Sequence, residues 1–359
     1  MRFEDARTAS LPLISVVVLN YNGNAWLPRC FESLENQTVF KEIEVIVVDN
    51  QSPDGSDLMA YEWAQRRPNV RLIKNEANLF FCGGNNRGAA AATGKYLFFL
   101  NNDTWLEPDC LAILFQKTEA LSAEAATPLV FDYDDENYQS LGGAGLDIFG
   151  MVPGNKRFDG TSEIFAAYGA AFLIRADVFK NIGGFDEKLL MYSDEVDLSW
   201  KVWIAGGRIL GVPTARMHHR GAPTANPAGG AKLVELRTNE TKRFLSNRNG
   251  LLVLMKNCQH ILLMLLISHL ALLLAEALVS LVLLRNWPYV RKAYFGAMIE
   301  AFRMRGHVST WRRQINSFRQ RGDFAMLRFL TWQLNRWGEL RLVFKLGLPK
   351  IDPQRSVKL

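Results

Sequence analysis

The chain has 359 residues, 48% of them hydrophobic and 22% charged, an ordinary balance for a protein that buries a core and long enough for one large domain plus an appendage. Net charge is +6 but unevenly spread: 16 basic and 4 acidic residues lie from Arg285 onward, a local net of +12, while residues 1–284 carry −6. Cys30, Cys82, Cys110 and Cys258 form no CxxC pair, which argues against a zinc site or a disulfide framework and fits a reducing compartment. No hydrophobic segment precedes the first strand, so no signal peptide is expected.

Leu13 to Leu19 is a β-branched run closed by the turn residues Asn20-Tyr21-Asn22-Gly23-Asn24, and it reads as the first strand. Ala25 to Asn36 has helical spacing, with Leu27, Cys30, Phe31 and Leu34 on one side. Ile43 to Val48 is a second buried strand ending in Asp49 and a turn through Ser56, in which Asp54 and Ser56 shape the backbone. A helix to about Arg67 and a third strand, Val70 to Lys74, follow. This alternation predicts a parallel sheet with right-handed crossovers. Asn78 to Gly94 is rich in Gly, Asn and Ala, and is expected to hold a loop and then a small-residue helix. Tyr96 to Leu100 carries no charge and suits a strand buried on both faces. It breaks into Asn101-Asn102-Asp103-Thr104. Ligands of open α/β sheets bind beyond the carboxyl ends of the strands, so a divalent metal and a phosphorylated ligand are expected at this tip.

Residues 131–165 are weakly patterned and should form loops and short strands shaping an acceptor pocket. Ala170 to Arg175 reads as a strand and Val178 to Gly184 as a short helix. Ser193 is a candidate N-cap for a helix ending near Gly206-Gly207, which would put Asp194 and Glu195 in the first turn, where the helix dipole favours ionised carboxylates. Arg208 to Val212 and Ala215 to His218 are two short strand candidates. Composition changes near Gly250, dividing an α/β domain (1–250) from an appendage (251–359). Ile261 to Leu284 has only Ser268, His269, Glu276 and Ser280 as polar interruptions and is long enough to cross a bilayer. Beyond it, Arg303, Arg305, Arg312, Arg313, Arg319, Arg321 and Arg328 alternate with large apolar residues, a pattern for amphipathic helices at an interface. A single crossing would leave the basic tail outside the cytoplasm, so a re-entrant, hairpin or in-plane arrangement on anionic headgroups is preferred; packing as a core helix is the alternative.

Four motifs in order carry a resemblance: Val16 to Gly23; Val47-Val48-Asp49-Asn50 through Ser56; Asn78 to Gly88 followed by Leu100-Asn101-Asn102-Asp103-Thr104; and Gly183-Gly184-Phe185-Asp186 followed by Met191 to Leu198. Over roughly 15–220 the chain resembles a family-2 glycosyltransferase of the GT-A fold, in its rhamnosyltransferase-like branch. The expected architecture is therefore α/β, a Rossmann-like, mainly parallel sheet flanked by helices, with a C-terminal helical membrane-associated region.

The resemblance implies an inverting transfer of a sugar, by preference rhamnose from dTDP-rhamnose, from a nucleotide-diphosphate donor to a hydroxyl of a lipid-linked saccharide at the cytoplasmic face of the membrane. It assigns Asn20, Tyr21, Asn22, Asp49, Asn78, Gly84, Asn85 and Asn102 to the donor nucleotide. Glycines in 78–88 would let the backbone approach a pyrophosphate, although Phe80 stands where the family usually has Gly and Cys82 where it has Ala. Asp103 aligns with the last acid of the Asp-x-Asp-like motif and would hold Mg²⁺ or Mn²⁺; Asn occupies the earlier acidic position. One of His218 and His219, His218 by preference, would join the metal or diphosphate, since strand alternation lets only one face the site. Asp194-Glu195 matches the acceptor motif with its two acids exchanged. Glu195 is the expected general base, Asp194 the fallback, and Asp197 a holder of the helix start. A rival reading is a catalytically degenerate nucleotide-sugar-binding or scaffold protein at the membrane. Nucleic acid is not expected as a partner, because the hydrophobic segment beside the basic tail favours a membrane; an oligomer is possible.

Overall fold

The computed structural model describes residues 12–155, 158–221 and 237–351. Its strands are β1 (Ile14–Asn20), β2 (Ile43–Asp49), β3 (Val70–Lys74), β4 (Tyr96–Asn101), β5 (Thr104–Leu106), β6 (Ala125–Asp132), β7 (Tyr138–Ser140), β8 (Ser162–Glu163), β9 (Ala171–Arg175) and β10 (Ile209–His219). They form one sheet in the order β3-β2-β1-β4-β9-β6-β10-β5, with β7 on β6 and β8 on β10. The first four are parallel, as the strand-helix alternation predicts. From β9 onward the sheet is mixed: β9 runs antiparallel to both β4 and β6, and β10 runs parallel to β6. The two short strands expected between Arg208 and His218 are one strand, β10, with a register shift between Val212 and Arg216.

The helices of this half are α1 (Leu27–Glu35), α2 (Ser56–Gln65), α3 (Phe80–Ala91), α4 (Cys110–Ala120), α5 (Ala176–Asn181) and α6 (Asp194–Ile204). Side chains on a strand point alternately to opposite faces, so each central strand feeds two cores. Val16, Val18, Phe98 and Leu100 pack with Leu27, Phe31, Trp63 and Leu111 on one face. Val17, Leu97 and Phe99 pack on the other with Cys82, Trp200 and Trp203. Full burial of each such side chain contributes about 1.5–3 kcal/mol.

The C-terminal helices are α7 (Glu240–Asn257), α8 (Met264–Leu284), α9 (Trp287–Val290), α10 (Ala297–Arg303), α11 (Arg305–Phe318), α12 (Asp323–Met326) and α13 (Asn335–Leu346). Helix α7 runs across position 250, the boundary expected between the two domains, and its Leu251, Leu252 and Leu254 belong to the second core. Helix α8 buries His269, Leu273 and Ala277, whereas Ile267, Leu274, Leu278, Val279, Val282 and Leu283 are exposed. With a mean hydropathy of 2.4 and only 22% of its most apolar window buried, it differs from an ordinary core helix. Several tail arginines have work inside the protein. Arg312 donates to the carbonyls of Met255 and Cys258 at 2.7 and 2.6 Å, Arg319 to Asn257 at 3.0 Å, and Arg321 to Gly207 and Gly206 at 2.7 and 2.8 Å. Those carbonyls close α7 and α6, where a helix end leaves acceptors unpaired and carries partial negative charge. Arg303, Arg305 and Arg313 remain exposed.

Candidate functional site

The parallel strands deliver Asn20, Asp49 and Asn101 to one edge of the sheet. Asn20 is buried and ties this edge together: its Nδ2 faces Asp49 Oδ1 at 2.7 Å, Ser56 Oγ at 2.9 Å and Ser52 Oγ at 3.1 Å. Asn102 Nδ2 in turn donates to Asn20 Oδ1 at 2.9 Å. Asp49, also buried, accepts from the Ser52 hydroxyl and backbone N–H. Tyr21 and Asn22 are exposed at the rim, and Asn22 has a left-handed φ of 56°. Asp54 and Ser56 do shape the turn: Asp54 accepts from the backbone of Asn24 and from Ser56 Oγ.

Asn78 forms an Asx turn just ahead of α3, its Oδ1 accepting from Phe80 N at 2.8 Å. Two glycines of α3 also serve the packing of the helix. A Cβ at Gly84 would lie 2.3 Å from Leu19 Cδ1, and one at Gly88 2.4 Å from Val17 Cγ1, so these glycines let the helix press onto β1. Asn85 is likewise buried and donates to Phe81 O at 3.0 Å. Its neighbour Asn86 bonds Phe185 in both directions and ties α3 to the Gly-Gly-Phe-Asp loop. Phe80, where a glycine is usual, adopts φ 56°. The conformation is thus the one glycine would take, held by Asn78 on one side and by Asn50 Nδ2 on the Phe80 carbonyl on the other. Phe80→Gly is therefore expected to be more stable than Phe80→Ala by about 1 kcal/mol, against the usual order of the two residues. Chemical denaturation of the two variants checks it.

Asp194 and Glu195 open α6 with Ser193 at the N-cap position, as expected, but without a capping bond from its side chain. Ser193 has φ 61°; Leu190 and Tyr192 are left-handed too, at 65° and 71°. Three such residues before the acids store strain of order 1–3 kcal/mol each, which the surroundings must offset. Helix α7 supplies the clamp. Asn249 Nδ2 lies 2.8, 2.8 and 2.9 Å from the carbonyls of Leu189, Met191 and Tyr192, and Arg248 Nη2 donates to those of Lys188 and Leu189. Beneath the loop, Lys256 Nζ lies 2.6 Å from Asp186 and 3.0 Å from Asp197; Lys201 joins Asp197 at 3.3 Å and His307 joins Asp186 at 2.9 Å. All but His307 are almost fully buried. Asp197 thus fastens α6 to α7.

A cavity of about 620 Å³ has Asp194, Glu195, Asn101, Tyr168 and His219 on its walls. Burial raises the pKa of both acids, and the charge of Glu195 raises Asp194 further. Across the cavity, His219 Nε2 lies 3.4 Å from Asp103 Oδ1. Its Nδ1 faces the Tyr168 hydroxyl at 3.1 Å and Gln139 Oε1 at 3.3 Å. A proton on Nδ1, shared with these two oxygens, leaves the Nε2 lone pair facing a carboxylate. Two such acceptors side by side need a cation or a proton between them, so Asp103 and His219 fit a divalent ion with oxygen and imidazole donors. The preference for His218 is corrected. As the next residue on β10 it points to the opposite face, where its ring stacks on Trp105 at 3.6 Å and its Nε2 sits 3.6 Å from Glu107. His218, Glu107 and Glu136 also converge, but Arg216 already pairs with both glutamates. Tyr168, Gln139, Asn249 and Lys256 went unread in the sequence. The polar residues interrupting 245–258 were a signal for Asn249 and Lys256; no local pattern marked Tyr168 or Gln139.

A mixed sheet of this topology, with an acidic helix start and the histidine partner of Asp103 lining one cavity, fits a nucleotide-sugar-dependent glycosyltransferase of the GT-A fold. Residues 15–183 match the family described as "Glycosyl transferase family 2", so this part of the chain is a domain of the family that the four motifs resemble. It is similar to the N-acetylglucosaminyl-diphospho-decaprenol L-rhamnosyltransferase of Mycobacterium tuberculosis, with 27% identity over 66% of this chain and 85% of that one. It is 37% identical to the putative glycosyltransferase EpsH of Bacillus subtilis over 27% of this chain, spanning 28% of that relative's length. Among solved structures, the mannosyltransferase PcManGT from Pyrobaculum calidifontis, in complex with GDP-Man and Mn²⁺, aligns with a TM-score of 0.51 at 16% identity, over 86% of each chain.

Proposed function

We propose that the protein is an inverting glycosyltransferase. It moves a sugar, by preference rhamnose from dTDP-rhamnose, from a nucleotide diphosphate to a hydroxyl of a lipid-linked saccharide in cell-surface polysaccharide assembly. The observation that carries this reading is that Asp194, Glu195 and His219 line one cavity and that His219 reaches Asp103 at 3.4 Å, with Tyr168 touching His219 and feeling the charges of both Asp103 and Glu195. Glu195 takes the proton of the acceptor hydroxyl, and the oxygen forms its bond to the anomeric carbon as the bond to the diphosphate breaks. Burial keeps the Tyr168 phenol protonated, so its oxygen accepts from His219 Nδ1 without carrying charge into the site. Asp103 and His219 would hold Mg²⁺ or Mn²⁺, which neutralises charge on a departing diphosphate.

The similarity to a transferase acting on a decaprenol-linked acceptor supports a lipid-linked substrate. The bare face of α8 supports attachment at the cytoplasmic side of a membrane, with Arg303, Arg305 and Arg313 free to meet anionic headgroups. Mass analysis of products from a panel of nucleotide sugars and lipid-linked acceptors tests the reading; no transfer from any donor would sink it. Asp103→Asn and His219→Gln are each expected to raise the Mn²⁺ concentration for half-maximal turnover by roughly tenfold or more, the loss that even an outer-shell partner produces. Turnover of either variant measured across a Mn²⁺ titration checks it.

A further inference from the structure

A second cavity of about 610 Å³ opens beside the first, and Gly154 lines both. Gln139 links them as well. It lines the second cavity, while its Nε2 donates to the His219 carbonyl at 2.8 Å. The far wall is the segment 332–341, and it is fastened in place. Thr331 N donates to Leu146 O at 2.9 Å, Gln333 Nε2 to Gly154 O at 3.2 Å, Asn335 N to Asp147 Oδ2 at 2.9 Å and Asn335 Nδ2 to Val152 O at 2.7 Å. Three aromatic rings on this groove stay open to solvent: Trp332 is 90% exposed, Tyr138 56% and Trp337 53%. The Arg341 guanidinium lies 5.6 Å from the Trp337 ring centre.

Open aromatic faces beside amide and guanidinium donors match the chemistry of a saccharide, whose C–H faces lie on rings while its hydroxyls bond to amides. A bilayer could take the same rings, but it has no use for a concave wall or a passage toward Glu195. Further out, Arg336 on α13 pairs with Glu276 on α8 at 2.7 Å, so the groove stands between the acid pair and the bare apolar helix. We propose that this groove binds the non-reacting saccharide portion of a lipid-linked acceptor, with its lipid end toward α8. The proposal rests on the glycosyltransfer reading for the identity of its ligand.

Two variants test it by calorimetric titration with a panel of short-chain farnesyl-diphospho-linked mono- and disaccharides. One is Trp332→Ala/Trp337→Ala, whose rings are exposed. The other is Gly154→Leu, at a residue that lines both cavities and where an added Cβ meets nothing within 4 Å. In each, the dissociation constant of the tightest probe is expected to rise about tenfold, with the melting temperature unchanged. Unchanged affinity in both variants overturns the proposal, as does a wild type that binds no member of the panel. A loss confined to co-sedimentation with phosphatidylcholine–phosphatidylglycerol vesicles overturns it too, and assigns the rings to the membrane. A wild type that binds the probe, more weakly in the variants, yet transfers no sugar keeps the groove and removes the glycosyltransfer reading instead.

Discussion

Glu195→Gln is expected to lower kcat by about 10²–10⁴-fold, the contribution of one general base, with little change in donor affinity. Glutamine keeps the shape and the polar end of the side chain but cannot take a proton. The geometry favours Glu195 over Asp194 as the proposed base, because Glu195 is the more open of the two and flanks Gly169, whereas Asp194 is buried. Asp194→Asn is expected to cost less. A larger loss in that variant would exchange the two roles. The pH profile provides a second readout. Burial raises both carboxyls, so the ionised form that can accept a proton is lost at a higher pH than for an ordinary acid. As pH falls, kcat should therefore drop above the normal carboxylate range, and the two acids should titrate as a pair. In Glu195→Gln that limb is expected to change shape along with the rate.

Lys256→Met is expected to destabilise the protein by about 3–5 kcal/mol, measured by denaturant unfolding, because it leaves buried carboxylates short of a partner. Lys256 is fully buried between Asp186 and Asp197. Burial works against ionising Asp186, but Lys256 and His307 outweigh it and hold its carboxyl far below the usual range. A depressed folded-state pKa contributes stability that is complete above the unfolded value and is lost as pH falls through the folded one. The wild type should thus keep this contribution at neutral pH and lose it only in strong acid. Lys256→Met/Asp186→Asn is expected to recover part of the loss, since it removes the stranded charge as well. Because Asp186 precedes the loop that carries Asp194 and Glu195, Lys256→Met should also lower turnover. Unchanged stability would mean that Lys201 and His307 alone suffice for the two acids.

Strands β1, β2 and β4 were legible because each is a largely apolar β-branched or aromatic run, interrupted only by Glu44 in β2, that stops at turn-forming residues. Their tips, Asn20, Asp49 and Asp103, were legible for the same reason, and so was the acidic pair ahead of an apolar-periodic helix. Three stretches carry local chemistry whose use in the fold the sequence left ambiguous. Ser193 has the side chain of a cap but sits in a left-handed backbone that clamping from α7 imposes. The glycines of α3 look like a phosphate loop, and two of them, Gly84 and Gly88, also press against Leu19 and Val17 of the neighbouring strand. The tail arginines read as a membrane pattern, whereas several close the ends of α6 and α7.

Short-range order was written in the chain itself: where strands begin and end, which residues stand at their tips, and where the long apolar helix lies. These follow from side-chain alternation and backbone preference, which act between residues a few positions apart. Only the folded chain decided that His219 rather than His218 meets Asp103, that Asn249 and Lys256 brace the acid loop, and that Gln139 and Gly154 join two cavities. Those partners are 60 to more than 100 residues apart in most cases, and no local pattern encodes which distant atom will complete a buried charge or an orphaned carbonyl.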